Sequence, residues 1–299
     1  MDLKQMRYFL AVAEERNLSR AAARLHMAQP PLTRHIHALE KELGTPLFVR
    51  TARGVELTEA GEALLEEVPN VLGMARRARE KAQRAGQGLI GTLDVGIFGS
   101  GLLNVIPVLL ARFHKERPEV RIGLHNMGKA EQIDALREQR ITVGFNRLVP
   151  NEPGLMVETV LRERMIVALP EQHRLGKKRE LTLRDLDSEP MILYPNAPLP
   201  GLAQEVMSAF RAENVRLTIE QEVEDVVTAI ALVAGGFGLC VTTESASNLR
   251  LPGVVYKPLS SRILKDIELS CLYRSDDRSP ILHAFLEVAR QGAEMPLRR

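Results

Sequence analysis

The sequence predicts an all-α winged helix-turn-helix domain, a long linker helix and a two-lobed α/β domain within its 299 residues. Three patterns predict this fold class: two short helical runs around a tight turn at residues 17–43, one long heptad pattern, and alternating strand-like and helical runs from residue 92 onward. We place the domain boundaries at residues 1–58, 59–87 and 88–299. Lobe I comprises residues 88–160 and 268–299, and lobe II comprises residues 161–267.

The first two predicted helices supply the walls of a small core. Residues 2–15 are amphipathic, and their inner face carries Leu3, Met6, Phe9, Leu10 and Ala13. The second helix covers residues 20–26, with Ser19 as its N-cap. Its three successive alanines are small enough for a close crossing with the next helix, and Leu25 anchors it in the core.

The third predicted helix has the pattern of a DNA recognition helix. Gln29 stands at the cap and Pro30 at the first helical position, where the missing N–H of proline costs nothing. One face carries Leu32, Ile36, Leu39 and Leu43, and the opposite face carries Thr33, Arg34, His37 and Lys41. A polar, cationic face on the second helix of such a pair suits the major groove. The alternative is an ordinary αα-hairpin in a helical domain.

A short hairpin follows the recognition helix. Strand-like runs at residues 47–50 and 55–57 flank a turn in which Gly54 can take the left-handed conformation. Arg50 and Arg53 flank this turn, and we expect them to reach phosphates or the adjacent minor groove. The alternative is a solvated turn with two exposed arginines.

A long helix is predicted over residues 59–84, with Thr58 as its cap. Apolar residues recur there in a heptad seam formed by Leu64, Val68, Val71, Ala75, Ala78 and Ala82. A seam of this length needs a partner helix, so the pattern predicts a dimer. Pro69 predicts a kink, or a helix divided in two, because proline removes a backbone hydrogen bond. A flexible joint follows at residues 85–88.

Strand-like and helical runs alternate through the rest of the chain. Strands are predicted at residues 92–98, 120–127, 141–146, 165–169, 217–223, 239–242, 254–258 and 267–274. Helices are predicted at residues 103–116, 130–139, 202–214, 225–234 and 281–291. This alternation predicts parallel sheets in two lobes, with a ligand cleft between the lobes.

Polar groups gather at the strand ends that are expected to face this cleft. Ser100 and Gly101 follow the first strand of lobe I, Lys129 follows the second, and Arg147 follows the third. Lobe II offers residues 196–202 before a helix, and Thr243 after a strand. These residues supply a hydroxyl with free amides, an ammonium and a guanidinium. A carboxylate ligand is favoured by this combination of donors and positive charges. Each residue alone has the alternative role of a surface cap or salt-bridge partner.

Composition limits the classes of function. The net charge is only +2, but residues 1–54 hold nine Lys and Arg against five Asp and Glu, which suits a phosphate-contacting module. Cys240 and Cys271 lie in apolar runs and are expected to be buried thiols in a reducing compartment. Metal-ligand spacings and enzyme motifs are missing, so we expect no metal, no cofactor and no enzyme. Since signal and membrane-spanning runs are missing too, a cytoplasmic protein is expected.

Many residues near the N-terminus stand at fixed offsets that are typical of one family. They are Met6-x-x-Phe9, Ser19-x-Ala21-Ala22-x-x-Leu25, Gln29-Pro30-Pro31-Leu32-Thr33-x-x-Ile36, Leu39-Glu40, Leu43-Gly44, Leu47-Phe48, Arg50 and Leu57-Thr58-x-Ala60-Gly61. With these motifs the chain resembles LysR-type transcriptional regulators over essentially its full length. The resemblance implies an effector domain like periplasmic binding proteins. It also implies a homotetramer, a dimer of dimers, that binds an interrupted inverted repeat in double-stranded DNA and works with RNA polymerase when a small inducer fills the cleft.

The resemblance implies roles for individual residues. Gln29, Thr33 and Arg34 match DNA-contacting positions, Pro30 and His37 lie on the same helix, and Arg50 and Arg53 match the wing. The segments at residues 28–31, 144–147 and 223–225 resemble the branch that responds to muconate or chloromuconate in catechol and chlorocatechol degradation. By that match, the inducer site is lined by Ser100, Lys129, Arg147, Pro200, Gly201 and Leu202.

Lys129 departs from this branch, in which a hydroxyl residue can stand at its position. The lysine implies a more highly charged ligand or a different one. Two other functions remain as alternatives: a cytoplasmic protein that only binds a small molecule, and an enzyme that uses the cleft.

Overall fold

The chain folds into two compact units, Met1–Arg84 and Ala85–Arg299. A computed structural model describes residues 1–52, 54–195, 199 and 201–293. The first unit and the residues that follow it form helices α1 (Leu3–Glu15), α2 (Leu18–Arg24), α3 (Gln29–Leu43) and α4 (Glu59–Gly86), with a hairpin of strands β1 (Phe48–Thr51) and β2 (Gly54–Leu57) before α4. The hairpin is antiparallel and pairs Phe48 with Leu57.

Apolar side chains of α1, α3 and the hairpin form the core of the first unit. Phe9, Leu32 and Leu39 are fully buried, and the ring centroids of Phe9 and Phe48 lie 5.3 Å apart. The apolar stripe predicted for α3 is therefore buried along most of its length. Leu43 is an exception, with 39% of its surface exposed, because it is the last residue of α3.

Two helix caps differ from the prediction. Asn17, not Ser19, caps α2: its Oδ1 accepts hydrogen bonds from the backbone N–H groups of Ser19 at 2.9 Å and Arg20 at 3.1 Å. At α3, Ala28 occupies the cap position without a side-chain hydrogen bond, and Gln29 is the first helical residue. The two prolines that follow Gln29 have no N–H to satisfy, so a side-chain acceptor is less needed there.

Two glycines permit close backbone approaches around the hairpin. Gly54 has φ +140°, and a Cβ there would lie 2.3 Å from the carbonyl oxygen of Arg16 at the end of α1. Gly61 lies in the first turn of α4, and its Cβ would lie 2.2 Å from the carbonyl oxygen of Leu47. Thr58 joins the same elements, since its hydroxyl donates to the Pro46 carbonyl and accepts from the Gly61 N–H. The motif Leu57-Thr58-x-Ala60-Gly61 thus fastens the hairpin to α4.

Helix α4 is continuous through Pro69, so it is not divided in two there. Its first half packs against the core of the helical domain, where Val68 is 1% exposed and Leu64 and Leu72 are partly buried. Burial of these side chains offsets the hydrogen bond that proline removes. The second half is largely exposed, including Met74 at 65%. The first half of the predicted seam is therefore buried within its own unit, and only the second half is left exposed for a partner helix, which stays a prediction.

The second unit begins with a mixed five-stranded sheet, which we call the sheet of lobe I. It is formed by β3 (Gly91–Ile97), β4 (Val120–Asn126), β5 (Val143–Arg147), β6 (Leu155–Glu163) and β13 (Ile267–Arg274) in the order β4-β3-β5-β13-β6. Helices α5 (Val105–Glu116), α6 (Lys129–Arg137) and α9 (Pro280–Ala293) accompany it. The rings of Phe113 and Phe145 both pack edge-on against Phe285 in the core.

Lobe II has two smaller sheets. One joins β7 (Met165–Pro170), β8 (Leu181–Thr182), β11 (Cys240–Thr243) and β12 (Val254–Ser260) in the order β11-β7-β12-β8, and the other joins β9 (Pro190–Leu193) and β10 (Thr218–Glu222). Helices α7 (Leu202–Ala212) and α8 (Val226–Ala234) pack with them. Three short 3-10 helices also belong to this lobe, and a further one, Gly99–Leu103, precedes α5 in lobe I.

The prediction of purely parallel sheets is correct only for part of the second unit. Strands β3, β4 and β5 pair in parallel, but β13 pairs antiparallel with both β5 and β6. In lobe II, β7 pairs antiparallel with β11 and β12. Strands β6, β8 and β9 were not predicted. The run from β6 into β7 is interrupted only by Arg164, so the chain passes almost directly from one lobe to the other at Glu163.

Cys240 and Cys271 are both buried free thiols, as predicted. Burial raises the pKa of the Cys271 thiol to about 12, and that of Cys240 is also well above its usual range. Within the described residues, no helix combines the length and the apolar character that crossing a membrane requires.

Candidate nucleic-acid interface and ligand pocket

The outer face of α3 presents polar groups away from the core. Gln29, Pro30, Arg34 and His37 are exposed, and Thr33 is half-buried. The Ser19 hydroxyl donates to Oε1 of Gln29 at 2.9 Å, which fixes the direction of that amide. Within the described residues the Arg34 guanidinium makes no intramolecular ion pair, so its donors are available to another molecule.

Glu40 connects the recognition helix to the hairpin, and sequence reasoning missed it. Its Oε1 accepts hydrogen bonds from the backbone N–H groups of Leu47 at 2.8 Å and Phe48 at 3.2 Å, and its Oε2 lies 3.1 Å from Nδ1 of His37. The only signal in the sequence was the pair Leu39-Glu40, in which a carboxylate directly follows a core residue. Glu40 therefore sets the position of the wing relative to α3.

The hairpin brings one predicted arginine to this face. Arg50 is exposed on β1, and it lines a small hollow together with Thr33 and His37. Arg53, the second predicted wing residue, lies outside the described residues. Three of the side chains predicted to contact DNA thus lie side by side on one surface.

A pocket in the second unit collects most of the residues predicted for an effector site. Its described lining consists of Phe98, Gly99, Ser100, Lys129, Asn146, Arg147, Tyr194, Pro195, Leu199, Gly201 and Leu202. Its volume of about 50 Å³ is room for a few water molecules.

Two other residues of the predicted site are placed differently. Thr243 does not line the cavity but shares a 2.9 Å hydrogen bond with the Ser100 hydroxyl. Gly101 is buried against the side chain of Leu269, where a Cβ would lie 2.7 Å from a methyl carbon. Pro200 lies outside the described residues.

A buried ion pair lies behind the cavity. Nη2 of Arg147 donates to Oε2 of Glu163, whose side chain is 3% exposed. Oε1 of Glu163 accepts from the backbone N–H of Ser245 at 2.7 Å and from the Ser245 hydroxyl. Since Arg147 belongs to lobe I and Ser245 to lobe II, this carboxylate joins the two lobes. Sequence reasoning missed Glu163 because nothing local distinguishes it from an exposed strand residue.

The described cavity wall has more hydrogen-bond donors than acceptors. Nη1 of Arg147 and Nδ2 of Asn146 are buried and have no hydrogen-bond partner among the described residues. Lys129 is 8% exposed, its Nζ donates to the Leu148 carbonyl at 2.9 Å, and burial lowers the pKa of its ammonium to about 8. Buried donors without partners are costly, so this wall suits an acceptor-rich anion.

Two further hydrogen bonds join the lobes. One is the pair of Ser100 and Thr243, and the other runs from Nδ2 of Asn248 to the Leu103 carbonyl at 2.9 Å. The Ser100 hydroxyl, which lines the cavity, is thus held by Thr243 of lobe II. Among the described residues there is no cluster of three or more metal-ligating side chains.

Comparison with known proteins identifies the family. Residues 3–62 match the model of the bacterial regulatory helix-turn-helix protein, lysR family, and residues 86–294 match the LysR substrate binding domain. The chain belongs to the LysR family of transcriptional regulators. It is a DNA-binding regulator and not an enzyme.

Individual LysR-family relatives cover nearly the whole chain. It is 40% identical over 292 residues to the HTH-type transcriptional regulator TfdS of Cupriavidus pinatubonensis (strain JMP 134 / LMG 1197), covering 98% of this chain and 99% of the relative. Full-length CbnR in complex with its target DNA superposes with a TM-score of 0.87 at 33% identity, covering 98% of this chain and 100% of that one. The BenM effector-binding domain with its effector benzoate gives 0.62 at 29% identity, covering 69% and 96%. The predicted family and its resemblance to the catechol and chlorocatechol branch are both confirmed.

Proposed function

We propose that this LysR-type regulator activates genes for the degradation of aromatic compounds when a small carboxylate inducer, such as a muconate, fills the pocket of the second unit. The observation that carries the proposal is the donor-rich cavity wall, formed by Ser100, Lys129, Asn146 and Arg147. The gating part is supported by the hydrogen bonds that join the two lobes at Ser100 and at Glu163. A ligand that separates the walls breaks hydrogen bonds between the lobes, and it shifts their arrangement only by its differential affinity for the two states.

The opposite wall supplies a second place for an anion. Gly201 and Leu202 stand at the N-terminus of α7, an 11-residue helix, and both line the cavity. Backbone N–H groups and the positive end of the helix dipole favour a carboxylate there. A dicarboxylate is therefore expected to bridge the lobes, with one end at Ser100 and the other at α7.

We further propose that the regulator acts as a tetramer built as a dimer of dimers. The exposed second half of α4 offers one contact surface. A second contact surface consists of two sheet edges with opposite charge. Strand β4 carries exposed Leu124 and Arg121, and strand β10 carries exposed Ile219 and Glu222. Two copies related by a two-fold axis can pair each β4 edge with a β10 edge.

The DNA contact is tested by replacing Arg34 with alanine. We expect a loss of about 1–3 kcal/mol in binding to the DNA upstream of the gene for this protein, because a guanidinium that reads a base edge contributes that much discrimination. Fluorescence anisotropy on this fragment and on a scrambled fragment measures the loss. Arg216→Ala, which removes an exposed arginine of the second unit, is the control. An equal loss on both fragments would reduce Arg34 to a phosphate contact.

Gating is tested by DNase I protection and DNA bending with and without saturating cis,cis-muconate, a chloromuconate or benzoate. A change in the footprint or in the bend angle on ligand addition is the expected result. Identical footprints and bends with a ligand that demonstrably binds would refute gating. A footprint that spans only one half-site would contradict the tetramer.

A further inference from the structure

The ring of His37 is held in one orientation on the outer face of α3. Its Nδ1 atom lies 3.1 Å from Oε2 of Glu40, one turn later on the helix. Glu40 is itself fixed, because its Oε1 accepts the backbone N–H groups of Leu47 and Phe48 and only 15% of its side chain is exposed. The backbone of the wing therefore orients a carboxylate, and this carboxylate orients the imidazole.

The carboxylate also decides which nitrogen of the His37 ring carries the hydrogen. An ionised carboxylate only accepts hydrogen bonds, so Nδ1 is the donor in this pair. The other ring nitrogen, Nε2, therefore has a free lone pair when the ring is neutral, and it carries a hydrogen only when the ring is protonated. Within the described residues Nε2 has no hydrogen-bond partner, and 66% of the side chain is exposed. This atom is available to another molecule.

The same face of α3 carries the side chains that suit DNA. Thr33 and Arg34 stand one turn before His37, and a recognition helix presents such a face to base edges in the major groove. The hollow beside the ring is lined by apolar side chains of α1, α2 and β2, whereas β1 supplies Arg50. Charged groups therefore face the ring only from α3 and β1 among the described residues, and they are Arg34, Glu40, Lys41 and Arg50.

We propose that His37 reads one base of the target DNA through Nε2, and that Glu40 determines which base is preferred by fixing the tautomer of the ring. Neutral Nε2 accepts a hydrogen bond, so it suits the amino group of adenine or cytosine in the major groove. Protonated Nε2 donates, so it suits N7 or O6 of guanine. Because histidine changes charge between pH 5 and 8, the preferred base changes to guanine as the pH falls. This inference rests on the binding of DNA by α3 and does not involve the ligand pocket.

The base preference is tested by competition binding of the full chain to every single base-pair variant of its DNase-protected upstream DNA, at pH 8 and at pH 5.5. At one base position, adenine or cytosine is expected to bind roughly 2- to 10-fold better than guanine at pH 8, the range for one hydrogen bond. The order is expected to reverse at pH 5.5. His37→Ala should remove this preference at both pH values, whereas His114→Ala, which removes an exposed histidine of α5, should keep it.

Glu40→Gln separates the effect of the tautomer from that of protonation. The amide oxygen still accepts from the N–H groups of Leu47 and Phe48, and the amide NH₂ group then faces Nδ1 of His37 and donates to it. Nδ1 becomes the acceptor and Nε2 carries the hydrogen in the neutral ring, so this variant should prefer guanine already at pH 8. A merely structural Glu40 would lower the affinity for all DNA variants alike and leave the base preference unchanged.

The possible outcomes separate this inference from the proposed function. An equal loss of affinity for every DNA variant in His37→Ala would make the ring a phosphate contact and overturn the base reading. A preference that is the same at pH 5.5 and pH 8, or that Glu40→Gln leaves unchanged, would overturn the role of the tautomer. The inducer response is judged by footprints with and without ligand, so it stands or fails independently of these results. Thermal melting checks that each variant is folded.

Discussion

Replacing Glu163 with alanine is expected to lower the free energy of unfolding of the second unit by about 3–5 kcal/mol. The side chain is 3% exposed, and it holds Arg147 of lobe I and both the N–H and the hydroxyl of Ser245 in lobe II. Its removal leaves a buried guanidinium without its counter-ion and a buried N–H without an acceptor. Urea unfolding of the full chain, followed by hydrogen exchange at residues of β5 and β11, measures the loss in this unit.

Glu244→Ala is the matched control for this experiment. Glu244 precedes Ser245 and pairs with Arg164, but both side chains are more than half exposed, so the change should be within about 0.5 kcal/mol. The double replacement of Glu163 by leucine and Arg147 by methionine should cost less than Glu163→Ala alone, because it leaves no buried charge behind. A Glu163→Ala protein as stable as Glu244→Ala would show that the carboxylate does not join the lobes.

Replacing Gly61 with alanine is expected to destabilise the first unit by about 3 kcal/mol, the upper end for an overpacked site. The added Cβ would lie 2.2 Å from the Leu47 carbonyl oxygen, a backbone atom that cannot move without displacing β1. Loss of specific DNA binding should follow, because the wing is displaced from the recognition helix. Thermal unfolding and DNA binding measure the two effects, and inducer binding by the second unit should persist.

Gly73→Ala in the same helix provides the comparison. A Cβ at Gly73 would meet only the end of the Arg77 side chain at 3.5 Å. Since alanine favours helix over glycine by up to about 1 kcal/mol, this variant should be as stable as the wild type or more stable. If Gly61→Ala and Gly73→Ala behave alike, the contact between α4 and β1 is not tight.

Local sequence patterns predicted the helical domain well because each of its elements is specified by neighbouring residues. The 3.6-residue period of α3 and the glycine turn of the hairpin needed no information from distant parts of the chain. The same holds for β3, β4 and β5, whose helical crossovers require parallel pairing. The sequence prediction placed the N-caps of α2 and α3 at Ser19 and Gln29, one or two residues from the true caps Asn17 and Ala28. Only the backbone dihedral angles distinguish such neighbouring residues.

The remaining errors concern contacts between distant residues. The antiparallel pairing of β6 with β13 joins residues more than 100 positions apart, and no local pattern encodes it. The sequence placed Lys129 and Arg147 close together, as the structure does, because the ends of parallel strands lie at one sheet edge. Asn146 belongs to the same strand end but was overlooked next to the charged Arg147. Glu163 and Ser245 are 82 positions apart in the chain, and only the tertiary fold brings them together.

The burial of the first half of α4 has a mechanical consequence. Because Val68 and its neighbours lie in the core of the DNA-binding domain, the helix cannot pivot relative to that domain without opening the core. The 28 residues of α4 span about 42 Å at the usual rise of a helix. A tilt of about 5° at one end therefore moves the other by about 4 Å, roughly one base-pair step of DNA. If subunits pair through the exposed second half of α4, as proposed, a small rotation at that end is transmitted to the DNA-binding domain at the other.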